Sequence, residues 1–248
     1  MTSLPLIVSE TFYSIQGEGF SAGNLAVFLR LGGCNLRCNG FSYRHPQTGE
    51  HLGCDTKHVW RKGKKIFPEG IVQHWKQKGW WTALEEGAHL VITGGEPLIQ
   101  QAAILDFIRY IDSLAKIPFY IEVETNATFL PSSELLDRFN QVNASPKLTH
   151  SGEPRDKAYQ PLVLEIFSNF PQVYFKFVVA SPADIQEIIQ DYYVPFDIPK
   201  NRIWLMPEGG AQTLLQERRQ WLIEECKRFG FHYSPRLQVE IWGEVVGV

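Results

Sequence analysis

The chain has 248 residues, of which 44% are hydrophobic and 21% are charged, the composition of an ordinary globular protein. Its 24 Lys and Arg residues and 27 Asp and Glu residues give a net charge of −3, which excludes a general attraction to nucleic acid or to anionic membranes. No stretch approaches the roughly 20 apolar residues of a membrane-spanning helix. Residues 1–9 lack the charged and apolar regions of a signal peptide, so we predict a cytoplasmic protein with a single domain over residues 1–248.

Seven short apolar runs are predicted to form buried strands, because most of them are rich in Val, Ile, Phe or Tyr. In chain order these runs are residues 25–31, 89–93, 119–123, 141–145, 173–179, 203–206 and 236–242. Five segments with a helical spacing of apolar residues lie between them. These segments are residues 68–78, 101–114, 132–139, 182–190 and 211–229, the last of which ends at Gly230.

Strands that alternate with helices indicate parallel βα units. Seven strands and five helices are too few for a closed eightfold barrel, so we assign the chain to the α/β class as an incomplete (partial) βα TIM-like barrel. Barrels of this kind carry their chemistry at the C-terminal ends of the strands. Residues 39–65 are the one long irregular stretch, and a loop of that length inside a domain is usually functional.

Three of the four cysteines, Cys34, Cys38 and Cys54, lie close together in the sequence, whereas Cys226 lies on the predicted long helix and is expected to be a core residue. A reducing cytoplasm disfavours disulfides, so the group of three indicates metal or cluster ligation. A 4Fe-4S cluster held by three cysteines leaves one iron open, whereas a structural zinc ion takes four ligands. Nearby histidines that could complete a zinc site are His45, His51 and His58. The cysteines alone leave cluster, zinc and inert buried thiols all open.

A second motif, residues 90–98, runs from a predicted strand into the sequence Gly94-Gly95-Glu96-Pro97. Two glycines at a strand end allow the amino-acid part of a ligand to approach the backbone closely. Glu96 can accept a hydrogen bond from a ligand ammonium group or brace the loop. A Gly-Gly turn alone is common, but next to the three cysteines it favours an iron-sulfur cluster over zinc.

The Cys-x3-Cys segment, the later Cys54 and the Gly-Gly-Glu-Pro turn resemble the radical S-adenosylmethionine (SAM) superfamily. The resemblance implies a partial barrel of the radical SAM type and a 4Fe-4S cluster held by the three cysteines. The open iron of that cluster would chelate the amino and carboxylate groups of SAM. Reductive cleavage would then give a 5′-deoxyadenosyl radical that abstracts hydrogen from the substrate.

Further motifs resemble one family of that superfamily, the 7-carboxy-7-deazaguanine synthase (QueE) family, in family order over nearly the whole chain. They lie at residues 10–19, 30–36, 54–58, 92–98, 122–126, 145–147, 176–179, 205–208 and 236–243. That family converts 6-carboxy-5,6,7,8-tetrahydropterin to 7-carboxy-7-deazaguanine with loss of ammonia, on the route to queuosine, and uses Mg²⁺. The resemblance also implies a homodimer and an electron donor such as flavodoxin or ferredoxin.

The resemblance assigns further site residues by position. Those expected to bind the pterin are Gln16, Gly17, Glu18, Gly19, Arg30, Thr93 and Asn126. Polar members of this set match the donors and acceptors of the ring, and Arg30 suits the substrate carboxylate. Those expected to bind SAM are Gly94, Gly95, Glu96, Glu124, Ser145, Lys147 and Lys176. Thr56 and Asp55 supply the hard oxygens that Mg²⁺ prefers.

The chain departs from the family pattern in two places. The third cysteine usually follows the second by three positions, but here an insertion at about residues 39–53 separates Cys38 from Cys54. A loop of this length closes at modest extra entropy, so it does not forbid ligation, and we expect an inert hairpin rather than a partner-binding element. Gln238 stands where the family commonly has histidine.

Two other functions remain as alternatives. A glycyl-radical-enzyme activating protein shares the cluster and a small barrel, but residues 16–19 and the Cys-Asp-Thr sequence that begins at Cys54 argue against it. A zinc-binding structural or nucleic-acid-binding module is disfavoured by the acidic net charge and by a group of only three cysteines.

Overall fold

The computed structural model describes residues 3–45, 47–243, 245 and 247. Within this part of the chain, nine strands form one sheet and two more form a separate hairpin. The strands are β1 (Leu6–Ile15), β2 (Leu25–Leu31), β3 (Tyr43–Arg44), β4 (His51–Gly53), β5 (Lys64–Ile66), β6 (His89–Gly94), β7 (Ile121–Thr125), β8 (Gln141–Ala144), β9 (Val173–Val179), β10 (Ile203–Pro207) and β11 (His232–Tyr233).

The strand order of the large sheet is that of consecutive βα units. It runs β11-β10-β9-β8-β7-β6-β2-β1-β5. All neighbours from β2 to β11 pair in parallel, whereas β1 pairs antiparallel with both β2 and β5. The observed architecture is therefore the predicted incomplete α/β barrel, in which all parallel strands end at one edge of the sheet.

The helices connect these strands. They are α1 (Lys57–Trp60), α2 (Pro68–Gln77), α3 (Trp80–Glu85), α4 (Gln101–Leu114), α5 (Ser133–Arg138), α6 (Arg155–Ala158), α7 (Pro161–Asn169), α8 (Pro182–Glu187), α9 (Gln212–Phe229) and α10 (Leu237–Trp242). Short 3₁₀ turns lie at Pro97–Gln100, Thr149–Ser151 and Lys200–Arg202, and a π-helical segment, Ile188–Tyr193, continues α8. Among the described residues, no helix has the length and apolar character needed to cross a membrane.

Residues 236–242, which the apolar pattern predicts as a seventh strand, form the helix α10 instead. The amide nitrogens of Val239 and Glu240 both donate to the carbonyl oxygen of Arg236 and close its first turn. The prediction was wrong because a short apolar run does not distinguish a strand from a short helix. Only one side of the segment is buried, since Val239 is 5% exposed and Ile241 is 56% exposed.

The predicted strands missed β1 and the short strands β5 and β11, and the predicted helices missed α1, α3, α6 and α7. β1 is ten residues long, but its apolar residues are interrupted by Ser9, Glu10 and Thr11. A half-buried strand near the edge of a sheet tolerates such residues, so it lacks the continuous apolar run of a central parallel strand.

The two faces of the parallel sheet differ in polarity. Alternate residues of a strand point to opposite faces. One face joins the helices in a large apolar core that includes Leu29, Ile92, Val123 and Phe175. On the other face, the polar residues of β6 to β9 are His89, Thr93, Glu122, Glu124, Gln141, Asn143 and Lys176. Parallel strands are normally apolar on both faces, so this polar face indicates a functional cavity.

Candidate active site

A cavity of about 300 Å³ lies at the carboxyl ends of the parallel strands. Each of the strands β6 to β10 contributes at least one polar or sulfur-containing residue, and the set is Thr93, Glu124, Thr125, Asn143, Lys176 and Met206. The cavity is also lined by all the residues predicted from the sequence to bind the cluster, the pterin, SAM or Mg²⁺, except Gly19 and Glu96. The fold therefore brings together residues that are distributed along the chain from position 16 to position 176.

Cys34, Cys38 and Cys54 are free thiols that face this cavity. Burial, with a smaller contribution from the carboxylate of Glu96, raises the pKa of Cys34 to about 11, and burial raises the pKa of Cys38 to about 12. Burial and the carboxylate of Asp55 raise the pKa of Cys54 as well. Thiols that resist ionisation are poor nucleophiles, but a bound metal centre deprotonates them. The donor set therefore fits an iron-sulfur cluster.

The glycine pair of the second motif packs directly onto the cysteine loop. A Cβ atom on Gly95 would lie 2.1 Å from the carbonyl oxygen of Gly33 and 2.7 Å from the Cβ of Cys34. Gly94 has a φ of +141°, and a Cβ atom there would lie 2.1 Å from the carbonyl oxygen of Leu31. No side chain fits at either position, so the turn forms a close wall beside the thiols.

Glu96 lies beneath this turn rather than at the cavity surface. Its carboxylate is fully buried and accepts hydrogen bonds from the amides of Leu98, at 3.0 Å, and Asn126, at 2.6 Å. The hydroxyl of Thr125 donates to it at 2.8 Å. Of the two roles considered for Glu96, the contacts support bracing of the loop, because the described residues already supply three donors to its oxygens.

The insertion forms a hairpin that returns the chain to the point where it left. β3 and β4 pair antiparallel within it. Gly53, with a φ of +75°, completes the return, and a Cβ atom there would lie 2.4 Å from the carbonyl oxygen of Cys38. The extra residues therefore do not separate Cys54 from Cys38.

The insertion also contributes to the cavity wall through Phe41 and Tyr43. The amide and the hydroxyl of Ser42 each donate to the carboxylate of Glu208 at 2.8 Å. Glu208 is buried and is paired with Arg218 on α9. The hairpin form is as predicted, and residues of the hairpin line the cavity, while its functional role stays a prediction.

Glu18 is the centre of a buried network of charges. Its carboxylate pairs with Lys176 and, at 3.2 Å, with Arg236, and it accepts a hydrogen bond from Gln238 at 2.6 Å. Arg236 also donates to Asp55 at 2.7 Å. Burial would raise the pKa of Glu18, but the charges of Lys176 and Arg236 lower it to about 2. Burial lowers the pKa of Lys176 and of Arg236, but Glu18 raises both values, together with Glu124 at Lys176 and with Asp55 at Arg236, so that the net shift of each pKa is upward.

This network joins residues that the sequence assigns to different ligands. The resemblance assigns Lys176 to SAM binding and Glu18 to pterin binding, but the two side chains form an ion pair. Gln238, in place of the family histidine, still donates to the same carboxylate.

Glu124 is held in a fixed orientation at the end of β7. The amide of Gln16 donates to one of its oxygens at 3.1 Å, and the hydroxyl of Thr93 donates to the other at 2.7 Å. Asn126 makes a different connection, since its amide donates to Asn35 on the cysteine loop at 2.9 Å. Gln16 and Thr93 thus orient a carboxylate toward the cavity, whereas Asn126 orients the loop.

The remaining predicted cations have local partners. The Nε of Arg30 donates to Glu10 at 2.8 Å, and its guanidinium lies over the ring of Phe12, 5.7 Å from the centroid. Lys147 donates to the carbonyl oxygen and hydroxyl of Ser145 at 2.6 and 3.0 Å. Both cations line the cavity, where an anionic group of a ligand would meet them.

The two predicted magnesium ligands lie beside the third cysteine. The hydroxyl of Thr56 is 3.4 Å from the sulfur of Cys54, and Asp55 is paired with Arg236. Among the residues that the structure describes, no group of three or more His, Cys, Asp and Glu side chains, the three cysteines included, is placed to hold a single metal ion. Mg²⁺ usually takes few protein ligands and keeps several waters, so two oxygens remain compatible with its binding.

The polar residues of the cavity that sequence reasoning missed include Asn143, Glu208 and Arg236. Glu208 and Arg236 lie in motifs that carry the family resemblance, but no role was assigned to them. Asn143 could have been found from its spacing, because it lies two residues from Gln141 in β8 and thus shares its face of the sheet.

The close packing of Gly17 against Gln238 can be tested, because a Cβ atom on Gly17 would lie 1.8 Å from Oε1 of Gln238. We expect Gly17→Ala to displace Gln238 from Glu18 and to lower the free energy of unfolding by about 1–3 kcal/mol, the usual cost of overpacking. Urea denaturation measures this loss. Gly70→Ala is the matched control, since its Cβ would meet only a side-chain atom of Ile66 at 3.4 Å on a helix where alanine is favoured. A Gly17→Ala protein as stable as the control would contradict the packing.

A parallel βα sheet whose strand ends gather three free thiols, a Gly-Gly-Glu-Pro turn and a polar cavity defines a radical SAM enzyme. Over its full length the chain is 32% identical to the 7-carboxy-7-deazaguanine synthase of Pyrobaculum aerophilum, with all of both chains covered. It is 31% identical to that of Hyperthermus butylicus over 94% of this chain and 92% of the other. The chain belongs to the 7-carboxy-7-deazaguanine synthase family.

The solved structures agree on the fold. The crystal structure of QueE from Escherichia coli superimposes with a TM-score of 0.62 over 93% of each chain, at 22% sequence identity. A comparison with models of known protein families finds no match. Membership of the synthase family sets aside both the glycyl-radical-enzyme activating protein and the zinc module.

Proposed function

We propose that this enzyme converts 6-carboxy-5,6,7,8-tetrahydropterin to 7-carboxy-7-deazaguanine with release of ammonia. The observation that carries the proposal is the single cavity in which three free thiols face fixed polar groups. Its volume of about 300 Å³ lies at the lower end of the range for small-molecule sites. The relatives that bear the name of this synthase support the same reaction.

Cys34, Cys38 and Cys54 would hold the 4Fe-4S cluster, and the turn at Gly94 and Gly95 would receive the amino-acid part of SAM. When bound, the cluster supplies the electron that cleaves SAM to a 5′-deoxyadenosyl radical. The protein's own contribution is to hold the thiols around one space and to exclude side chains from the turn beside it. Glu124, Ser145 and Lys147 add polar groups suited to the rest of the cofactor, but only the resemblance assigns them. Lys176, paired with Glu18, would act nearer the pterin.

The pterin would lie against further polar groups of the same cavity. Arg30 would pair with its carboxylate, because a guanidinium matches a carboxylate geometrically and Arg30 faces the cavity. Gln16 and Thr93 would also face the ring, and the hydrogen bonds that both of them donate to Glu124 fix their orientation. Glu18 stays ionised near neutral pH, since the pKa of its carboxyl group is held at about 2, and can therefore accept ring N–H groups.

Mg²⁺ would bind through Thr56, with Asp55 as a second oxygen donor. Both residues line the cavity next to Cys54, where they would supply the protein oxygen ligands of the metal. We also propose an external donor such as flavodoxin or ferredoxin, a homodimer, and a cytoplasmic location. The donor follows from the need for an electron in each cleavage, and the other two rest on the family resemblance.

The reaction is tested by incubating the reconstituted enzyme with a chemical reductant, SAM, Mg²⁺ and carboxytetrahydropterin, followed by mass detection of carboxydeazaguanine. We expect product, and a marked loss of rate with a chelator or in Thr56→Ala at limiting Mg²⁺. Thr213→Ala, an exposed threonine on α9, is the matched control. Cleavage of SAM without product would show that the substrate is a different one, and full activity in chelator would refute the magnesium site.

A further inference from the structure

The loop that carries Cys34 and Cys38 is held by a carboxylate for which the proposed reaction provides no role. The backbone amides of Arg37 and Cys38 both donate to the same oxygen, Oε1 of Glu153. Two successive amides that point at one anion form a nest, an arrangement that binds anions and occurs at many iron-sulfur sites. In this chain the anion is supplied by the protein itself.

The nest depends on an unusual backbone conformation at Cys38. Its φ is +48°, in the left-handed region that residues other than glycine rarely adopt. Cys38 is 5% exposed and lines the cavity, so the position of its thiol follows from the conformation of this turn. A carboxylate that accepts from the Cys38 amide compensates for the strained backbone and thereby fixes where the thiol points.

Glu153 is brought to the nest by a close backbone contact. The amide of Gly40 donates to the carbonyl oxygen of Ser151 at 2.8 Å. A Cβ atom on Gly40 would lie 2.2 Å from the carbonyl oxygen of His150, and one on Gly152 would lie 3.0 Å from the nitrogen of Gly40. The two backbones therefore pass close to each other at Gly40 and Gly152, and this contact brings Glu153 to the cysteine loop.

We propose that Glu153 is a positioning residue for the cluster, which holds Cys38 in its ligating conformation and lowers the reduction potential through its negative charge. The inference rests on the proposed function, in which Cys38 is a cluster ligand. A fixed negative charge beside a cluster disfavours the added electron, and charge and hydrogen bonds around a cluster are known to set its potential. Glu153 makes no contact with the reacting groups in this role.

Glu153→Gln keeps an acceptor oxygen for the nest but removes the charge, whereas Glu153→Ala removes both. Glu165→Gln, an exposed carboxylate on α7, is the matched control. After anaerobic reconstitution, we expect Glu153→Gln to keep about four irons per chain and to show a more positive midpoint potential. Glu153→Ala should lose half or more of its iron, and Glu165→Gln should match the wild type in both respects.

A measurement on the metal-free protein separates this inference from the proposed function. The alkylation rate of the Cys38 thiol, followed by peptide mass spectrometry, should rise several-fold in Glu153→Ala and stay unchanged in Glu165→Gln. Wild-type iron content, potential and alkylation in both Glu153 variants would overturn the inference. If the wild-type protein binds no iron but the alkylation rate still responds to Glu153→Ala, the cluster and the tuning of its potential are both refuted, while the positioning of Cys38 stands.

Discussion

Replacing Cys54 with alanine should leave the anaerobically reconstituted protein almost free of iron, whereas the wild type should bind about four irons and four sulfides per chain. The insertion makes Cys54 the least regular member of the three in sequence, but the hairpin closes at Gly53 and returns Cys54 to the cavity. Each thiol is expected to ligate one iron, so Cys34→Ala and Cys38→Ala should cause the same loss. Iron and labile sulfide assays measure it.

Cys226→Ala is the matched control for these substitutions. Cys226 is 5% exposed, lies on α9 and does not line the cavity, and burial raises its pKa to about 12. The variant should retain its full iron content and lose about 1 kcal/mol of stability through lost packing. A Cys54→Ala protein with wild-type iron content would show that Cys54 is not a ligand.

Glu18→Gln should lower the free energy of unfolding at neutral pH by about 3 kcal/mol, because it leaves Lys176 and Arg236 buried without their shared partner. The three side chains are 9–15% exposed, so solvent screens them little. Urea denaturation at constant m-value provides the measurement. Glu224→Gln is the control, since its pair with Lys227 is about two-thirds exposed, and it should change stability by less than about 0.5 kcal/mol.

The pH dependence of the stability of Glu18→Gln tests whether the loss of stability is caused by the lost charge. The folded pKa of Glu18 is about 2 against an ordinary value of 4.5, so its stabilisation is complete above pH 4.5 and is lost as the pH falls toward 2. Other carboxyl groups titrate in both proteins and cancel in the difference. The gap between wild type and Glu18→Gln should therefore be constant from neutral pH to about 5 and narrow at lower pH. A gap that does not change with pH would assign the loss to packing rather than to charge.

Local sequence patterns predicted the parallel part of the fold well. Six of the runs predicted as strands are strands, since a buried parallel strand is apolar on most positions and is bounded by turns. The strand β1 and the helix α10 were not predicted correctly, because each is buried on one side only and a short pattern of this kind does not define a structural period. For the same reason the sequence did not reveal the polar face of the sheet, to which Glu122 and Glu124 of β7 both belong.

The sequence by itself determined which chemistry is available: three clustered thiols, a glycine pair that bears no side chains, and the order of motifs that the synthase family shares. Only the tertiary structure decided how these residues are used. Glu96 braces a turn, Lys176 and Arg236 share Glu18, and Glu153 reaches the amide of Cys38, which lies 115 positions away in sequence. Such pairings depend on which strand ends and loops are close in space, and a local sequence pattern carries no information about contacts between distant segments.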